Sequence, residues 1–182
     1  MMDLTKKALP NVIEIDGRAY SIYTDFRLWM RFEIEVGKLK KGQKMDVSYL
    51  FKNEIPDRVS LENLLTFSRP YSPLPRSTGG SGEIVFDYEL DADYIYAAFL
   101  GQYGIDLMEI EELHWYKFLA LFKGLNGSSK LAEIMSYRCY TKTKDVSDQY
   151  EKLKYAWRIE RVEPEDEEEI QKFSDLFYLV RE

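Results

Sequence analysis

The first regular pattern along the chain is an alternation of apolar and polar residues in VIEI, which begins at Val12. The alternation stops at Asp16-Gly17 and resumes in RAYSI, which ends at Ile22. An Asp-Gly pair supplies the positive backbone φ angles that a two-residue hairpin turn requires. The pattern therefore predicts an antiparallel β-hairpin over residues 12–22.

From Thr24 onward the apolar residues follow the 3.6-residue spacing of helices instead. Thr24 is predicted to cap the first helix, with Asp25 in its first turn and Gly37 at its end. The pattern as a whole predicts a mainly α fold of about six to seven helices with a small N-terminal β-hairpin. The other predicted helices are a short one over 46–52, one capped by Ser60, one opened by Asp87, one from Asp106 to about Lys123, one begun by Ser128 or Ser129, and one over 147–160.

Two segments interrupt this helical pattern. Residues 69–83, RPYSPLPRSTGGSGE, carry three prolines and three glycines and are predicted to form a flexible loop. After Pro164 an acidic block precedes a narrow apolar stripe, which predicts a helix that docks on its own domain or, as we favour, on a second copy. The sequence thus predicts one helical domain over 1–163 and an acidic helical extension over 164–182. The stripe consists of Ile170, Phe173, Phe177 and Val180.

Charge and composition narrow the class of protein. The net charge of −7 disfavours general binding to nucleic-acid backbones, and the basic loop from Lys38 to Lys44 is interpreted as solvated. The single cysteine, Cys139, forms no intrachain disulfide, which is typical of proteins in a reducing compartment. Apolar runs stay far below the roughly 20 residues of a membrane span. We therefore expect a soluble, cytoplasmic protein that binds neither nucleic acid nor membrane.

Candidate catalytic groups are sparse in this sequence. His114 is the single histidine, and it is spaced four residues from both Ile110 and Phe118, which favours a packed histidine over a catalyst. One histidine and one cysteine supply too few ligands for a zinc site. The glycine-rich segment 79–82 lacks the Gly-Lys-Ser/Thr ending of a phosphate loop. The sequence therefore predicts a protein that is not an enzyme and has no catalytic residue, cofactor or metal site.

Aromatic residues make up 15% of the chain, and they are the main candidates for contacts with other proteins. The clusters around Trp29 and Trp115 carry more rings than two helices readily bury, so we expect some of them to be partly exposed in a protein-binding groove. The C-terminal stripe is included because a narrow apolar helix needs a surface to dock on. The predicted contact residues are Trp29, Phe32, Trp115, Phe122, Phe173 and Phe177.

Four segments together resemble one known family. Their order and spacing are similar to those of the tailed-phage protein family known as gene product fifteen, and the resemblance runs from about Ala8 to about Trp157. The loop at 69–83 and the acidic C-terminal extension depart from it. The segments are TDFRLWMRFE (24–33), YIYAAFLGQYGIDL (94–107), LHWYKFLALFKGL (113–125) and MSYR (135–138).

The resemblance implies a function. Genes of that family lie in the late structural region of long-tailed phages and prophages of Gram-positive bacteria, near the tape-measure gene. This implies a non-enzymatic phage or prophage tail morphogenesis protein, most readily a tail assembly chaperone that binds the tape-measure protein in the host bacterial cytoplasm. The alternative is a structural virion component, such as a tail or connector subunit. The resemblance brings no catalytic residues with it.

Overall fold

A computed structural model of the protein describes residues 3–40, 42–70, 84–141 and 148–159. Within these residues the chain forms one two-stranded sheet and six α-helices, so the predicted mainly α fold with an N-terminal hairpin is confirmed. The elements are β1 (Val12–Ile15), β2 (Arg18–Ser21), α1 (Phe26–Lys38), α2 (Leu61–Ser68), α3 (Ala92–Tyr103), α4 (Trp115–Lys123), α5 (Lys130–Arg138) and α6 (Asp148–Trp157).

The described residues divide into two compact units, and α4 begins in the first and ends in the second. The single domain predicted for residues 1–163 stays a prediction, and the extension predicted for 164–182 lies outside the described residues. Unit 1 comprises residues 3–40, 42–70 and 112–118, and unit 2 comprises residues 84–111, 119–141 and 148–159.

The hairpin of unit 1 forms as the sequence predicts. Asp16 and Gly17 make the turn with φ angles of 51° and 76°, and this turn places Ile15 opposite Arg18. Strand alternation then directs Ile13 and Ile15 to the same face, where both are buried and β1 contacts α2. The hairpin therefore contributes one apolar face to the core of unit 1.

The cap of α1 differs from the prediction. Thr24 is not the N-cap, because its backbone carbonyl instead accepts the Trp115 N–H at 2.7 Å. Asp25 caps the helix, and its carboxylate accepts the Arg27 N–H at 3.0 Å and the Leu113 N–H at 3.1 Å. The backbone pairing with residues 113–115 moves the helix start by one residue.

Three other boundaries also move. Helix α1 passes through Gly37 and ends at Lys38. Asp87 caps a separate turn by accepting the Leu90 N–H at 3.0 Å, so that α3 starts only at Ala92. The short helix predicted over residues 46–52 is a single 3₁₀ turn. Each difference reflects local hydrogen bonding that apolar spacing does not encode.

The helix predicted from Asp106 to about Lys123 is wrong in its first half. The Asp106 carboxylate accepts the Met108 N–H at 2.8 Å and closes one turn. His114 then forms an antiparallel bridge with Asp25, the residue that caps α1. Such a bridge requires extended backbone at His114. Helix α4 therefore begins only at Trp115.

Two predicted caps are confirmed, and so is the last predicted helix. Ser60 caps α2 in a reciprocal box with Asn63, and Ser129 caps α5 by accepting the Ala132 N–H at 3.2 Å. Helix α6 lies within the predicted 147–160. Most of the predicted loop, residues 71–83, lies outside the described residues.

Replacing Asp25 by Ala tests the cap of α1. The change removes the acceptor for two backbone N–H groups, so we expect the free energy of unfolding to fall by about 1–2 kcal/mol, the upper part of the range for a lost N-cap. Asp57→Ala is the matched control, since Asp57 is exposed. Urea unfolding of both variants checks this, and equal effects would contradict the assigned cap.

Candidate protein-binding groove

Unit 2 is organised around a buried ion pair. The Arg138 guanidinium donates to both carboxylate oxygens of Asp91, at 2.6 and 2.9 Å, while Arg138 is 6% and Asp91 1% exposed. Arg138 also donates to the Trp157 carbonyl at 2.7 Å and to the Val85 carbonyl at 3.1 Å. Asp91 precedes α3, Arg138 ends α5 and Trp157 ends α6, so this one side chain fixes three helix ends.

A groove with a volume of about 240 Å³ lies between α3 and the segment that leads into α5. Five of its nine lining residues are Gly, Ala or Ser, so the helix backbone is accessible to a large side chain from elsewhere. The lining residues are Tyr94, Ala97, Ala98, Gly101, Gln102, Asn126, Ser128, Ser129 and Lys130.

The Gln102 amide holds the two walls of this groove together. Its Nε2 donates to the Gly124 carbonyl at 2.9 Å, and its Oε1 accepts the Asn126 N–H at 2.7 Å. Beside it, Gly101 leaves open space, because a Cβ built there meets no atom within 4 Å. The walls are therefore fixed by hydrogen bonds while the space between them remains free for an added side chain.

The end of α6 lies against one end of the groove. The Trp157 ring contacts Tyr94 edge to face, with 5.9 Å between ring centroids. The Lys130 ammonium lies 5.7 Å from the Trp157 ring centroid and pairs with Glu133 at 3.0 Å. Two lining residues are thus held by the last residue of α6.

The groove offers an apolar binding surface rather than a reactive constellation. Its lining contains one charged residue, Lys130, and otherwise small, aromatic or amide side chains. Throughout the described ranges, no three His, Cys, Asp or Glu side chains are grouped so as to hold a metal ion. Among the helices of those same ranges, none has the length and apolar character needed to cross a membrane.

Three predicted contact residues are buried in unit 1 instead of partly exposed. Trp29 and Phe32 are 0% exposed and Trp115 is 1% exposed, so the expected exposure is wrong. Both indoles can be buried because their N–H groups are satisfied. Trp29 donates to the Tyr23 carbonyl at 2.8 Å and Trp115 to the Ser68 carbonyl at 2.7 Å. These rings stabilise the core and leave no surface for a partner.

The other three predicted contact residues fall elsewhere. Phe122 is half-buried in unit 2, where its ring packs against Phe86 at 5.0 Å and Tyr88 at 6.2 Å between centroids. Phe173 and Phe177 lie outside the described residues, so their role stays a prediction. Of the four predicted residues that the structure describes, three therefore lie in the core of unit 1 and one lies in unit 2.

Sequence reasoning missed the residues that line the groove. Ala97 and Gly101 are four residues apart on α3, so they lie on one helix face, and both are exposed. Helix α3 passes through Gly101, continues to Tyr103 and ends at Gly104 with φ 65°. Small residues at this spacing are the available signal for a close approach.

His114 is a half-buried structural residue of unit 1. Its Nε2 lies 2.9 Å from the Pro10 carbonyl, and its Nδ1 accepts the Tyr116 N–H at 3.0 Å. These partners place the proton of the neutral ring on Nε2. Partial burial lowers the pKa of His114 below its usual 6.5. The packed, hydrogen-bonded histidine expected from the sequence agrees with this geometry.

A known protein family matches most of the chain. The family described as Bacteriophage Gp15 protein matches residues 5–159, which is well over half of the chain and ends where the described residues end. Neither the curated proteins nor the solved structures include a match to this chain. The family match confirms the resemblance predicted from the four sequence segments.

Replacing Arg138 by Met tests the ion pair of unit 2. The Asp91 carboxylate would remain buried without its partner, so we expect the free energy of unfolding to fall by about 3–5 kcal/mol. Arg31→Met is the control, because its ion pair with Glu35 is exposed and should contribute little. Guanidinium unfolding measures both, and combining Arg138→Met with Asp91→Leu should recover part of the loss. Equal effects of the two single changes would contradict the central role of Arg138.

The pH dependence of stability tests the state of His114. Because its pKa is lowered in the folded protein, the unfolded chain binds the proton more readily, and stability falls as the pH drops below about 6.5. The stabilisation is fully present above that pH. We expect His114→Gln to lose less stability than the unchanged chain between pH 7.5 and 5.8, measured by urea unfolding. Identical losses would show that the histidine is not held neutral.

Proposed function

We propose that this chain, which belongs to the bacteriophage Gp15 protein family, is a non-enzymatic tail assembly chaperone that binds the tape-measure protein. The family makes it a phage or prophage protein, and the gene neighbourhood implied by the resemblance supports a role in tail morphogenesis. The host bacterial cytoplasm is the proposed place of action, since the tape-measure protein has to be kept soluble there before the tail tube forms around it.

The groove of unit 2 is the observation that carries the proposal. A tape-measure protein is long and helical, and an apolar face of such a helix needs cover until assembly. A groove lined by Ala97, Gly101 and Ser128 accepts large side chains from a helix without first displacing side chains of its own. Its walls are fixed by the Gln102 hydrogen bonds, so little conformational entropy is lost when a partner binds.

Unit 2 also carries exposed apolar side chains on and after α3. Leu100 lies on α3 next to Gly101 and is 42% exposed, and Met108 in the following turn is 81% exposed. Flexible side chains such as Met adapt to partners of varied shape. The net charge of −7 would keep a complex with an apolar partner soluble.

Co-expression with the tape-measure protein encoded beside this gene tests the proposal. The unchanged chain should raise the soluble yield of that partner several-fold, and Gly101→Trp should remove most of the gain by filling the groove. Ala92→Trp is the matched control, because Ala92 is exposed and lies nine residues earlier, on the opposite side of α3. It should keep the gain.

The content of finished particles distinguishes the chaperone from a structural subunit of the virion. A chaperone leaves once the tube has assembled, so purified virions should contain almost none of this chain. Recovery at a stoichiometric level from virions, together with an unchanged solubility of the tape-measure protein, would replace the chaperone by a tail or connector subunit.

A further inference from the structure

The described chain ends beside the groove of unit 2. Trp157 contacts the lining residues Tyr94 and Lys130, and the last described residue, Ile159, follows two positions later. A further 23 residues, 160–182, therefore start from one end of this groove. The family match also ends at residue 159, so these residues are an addition to the part of the chain that the family describes.

The sequence of this addition is suited to filling an apolar groove. Its four stripe residues are spaced by three, four and three positions, which places them on one side of a helix. A helix with such a narrow apolar face is marginal in water and needs a surface to cover that face. The stripe consists of Ile170, Phe173, Phe177 and Val180.

We propose that residues 164–182 of the same chain dock as a helix in the groove of unit 2, with the Phe173 and Phe177 rings against the exposed backbone around Gly101. The small lining residues provide the space, since a side chain added at Gly101 meets no atom within 4 Å. The proposed occupant is the chain's own C-terminal segment and not that of a second copy, which the sequence alone favours.

The connection from α6 favours this occupant over any free partner. Thirteen residues lie between Ile159 and Phe173, and the fourteen steps along the chain span up to about 46–50 Å when extended, so the connection reaches the groove without strain. A short tether also gives its segment an effective concentration in the millimolar range. A weak apolar fit is therefore sufficient for the segment to occupy the groove for most of the time.

Charge complementarity supports the orientation of the segment. Six acidic residues lie at 163 and 165–169, immediately before the apolar stripe. The lining of the groove includes Ser129 and Lys130, which form the N-terminal end of α5, where the helix dipole favours acidic groups. Docking would bring the acidic block near this end and the stripe along α3.

The docked segment has a consequence for any partner of the groove. A partner that uses the same surface has to displace residues 164–182, which lowers its apparent affinity by the fraction of time the groove is covered. The docking itself does not depend on the proposed tape-measure partner and is testable in the isolated chain.

Amide NMR signals of the full chain and of a chain ending at Glu163 test the docking. Removing the segment should shift the signals of Gly101, Gln102 and Ser129, and a synthetic peptide of residues 164–182 should move them back. Phe173→Ala with Phe177→Ala in the full chain should reproduce the shifts, which covers the case of a truncated chain that folds poorly. Gln171→Ala with Ser174→Ala, off the stripe, should not.

Two results would overturn the inference. Groove signals that are unchanged both by truncation and by the double Phe change would show that the segment does not occupy the groove. Light scattering provides the second test, since the full chain should be a monomer. A dimer that becomes a monomer on truncation would assign the groove to the segment of a second copy.

Discussion

Unit 2 depends on a buried ion pair in which each charge requires the other, because neither side chain is solvated. Arg138 donates two hydrogen bonds to the Asp91 carboxylate, and two further N–H groups of its guanidinium donate to the Trp157 and Val85 carbonyls. A buried pair gains little over apolar packing, but removing one partner leaves a charge without solvent or counter-ion. Its importance is therefore positional, because one rigid guanidinium holds the start of α3 and the ends of α5 and α6 together.

The groove follows from that positional constraint. With the end of α6 tied to Arg138, the Trp157 ring is held against Tyr94 and Lys130, and the end of the groove is defined. The Gln102 amide then joins α3 to the segment before α5 through one donated and one accepted bond. A cavity bounded by fixed hydrogen bonds keeps its shape when empty, which is the property a binding surface requires.

The sequence predicted the elements whose signals are local. The hairpin turn at Asp16-Gly17 and the caps at Ser60 and Ser129 depend on residues within a few positions of each other. The failures come from long-range pairing. Apolar spacing predicts that residues 113–115 are helical. Their backbone bonds to residues 24–26 keep residues 113 and 114 outside the helix, so α4 begins only at Trp115. Periodicity contains no information about backbone partners that lie 87 and 91 positions away along the chain.

The candidate surface was missed for a related physical reason. Large aromatic side chains are the usual anchors of interfaces, so the sequence pattern favours Trp29 and Trp115. Both indoles find a backbone carbonyl inside unit 1, which removes the cost of burying their N–H groups and lets them fill the core. A receptor groove needs the opposite composition, because the large side chain is brought by the partner and the groove itself must supply space. Glycine and alanine at Gly101 and Ala97 provide that space, and their apolar character is too weak to stand out in a hydrophobicity pattern.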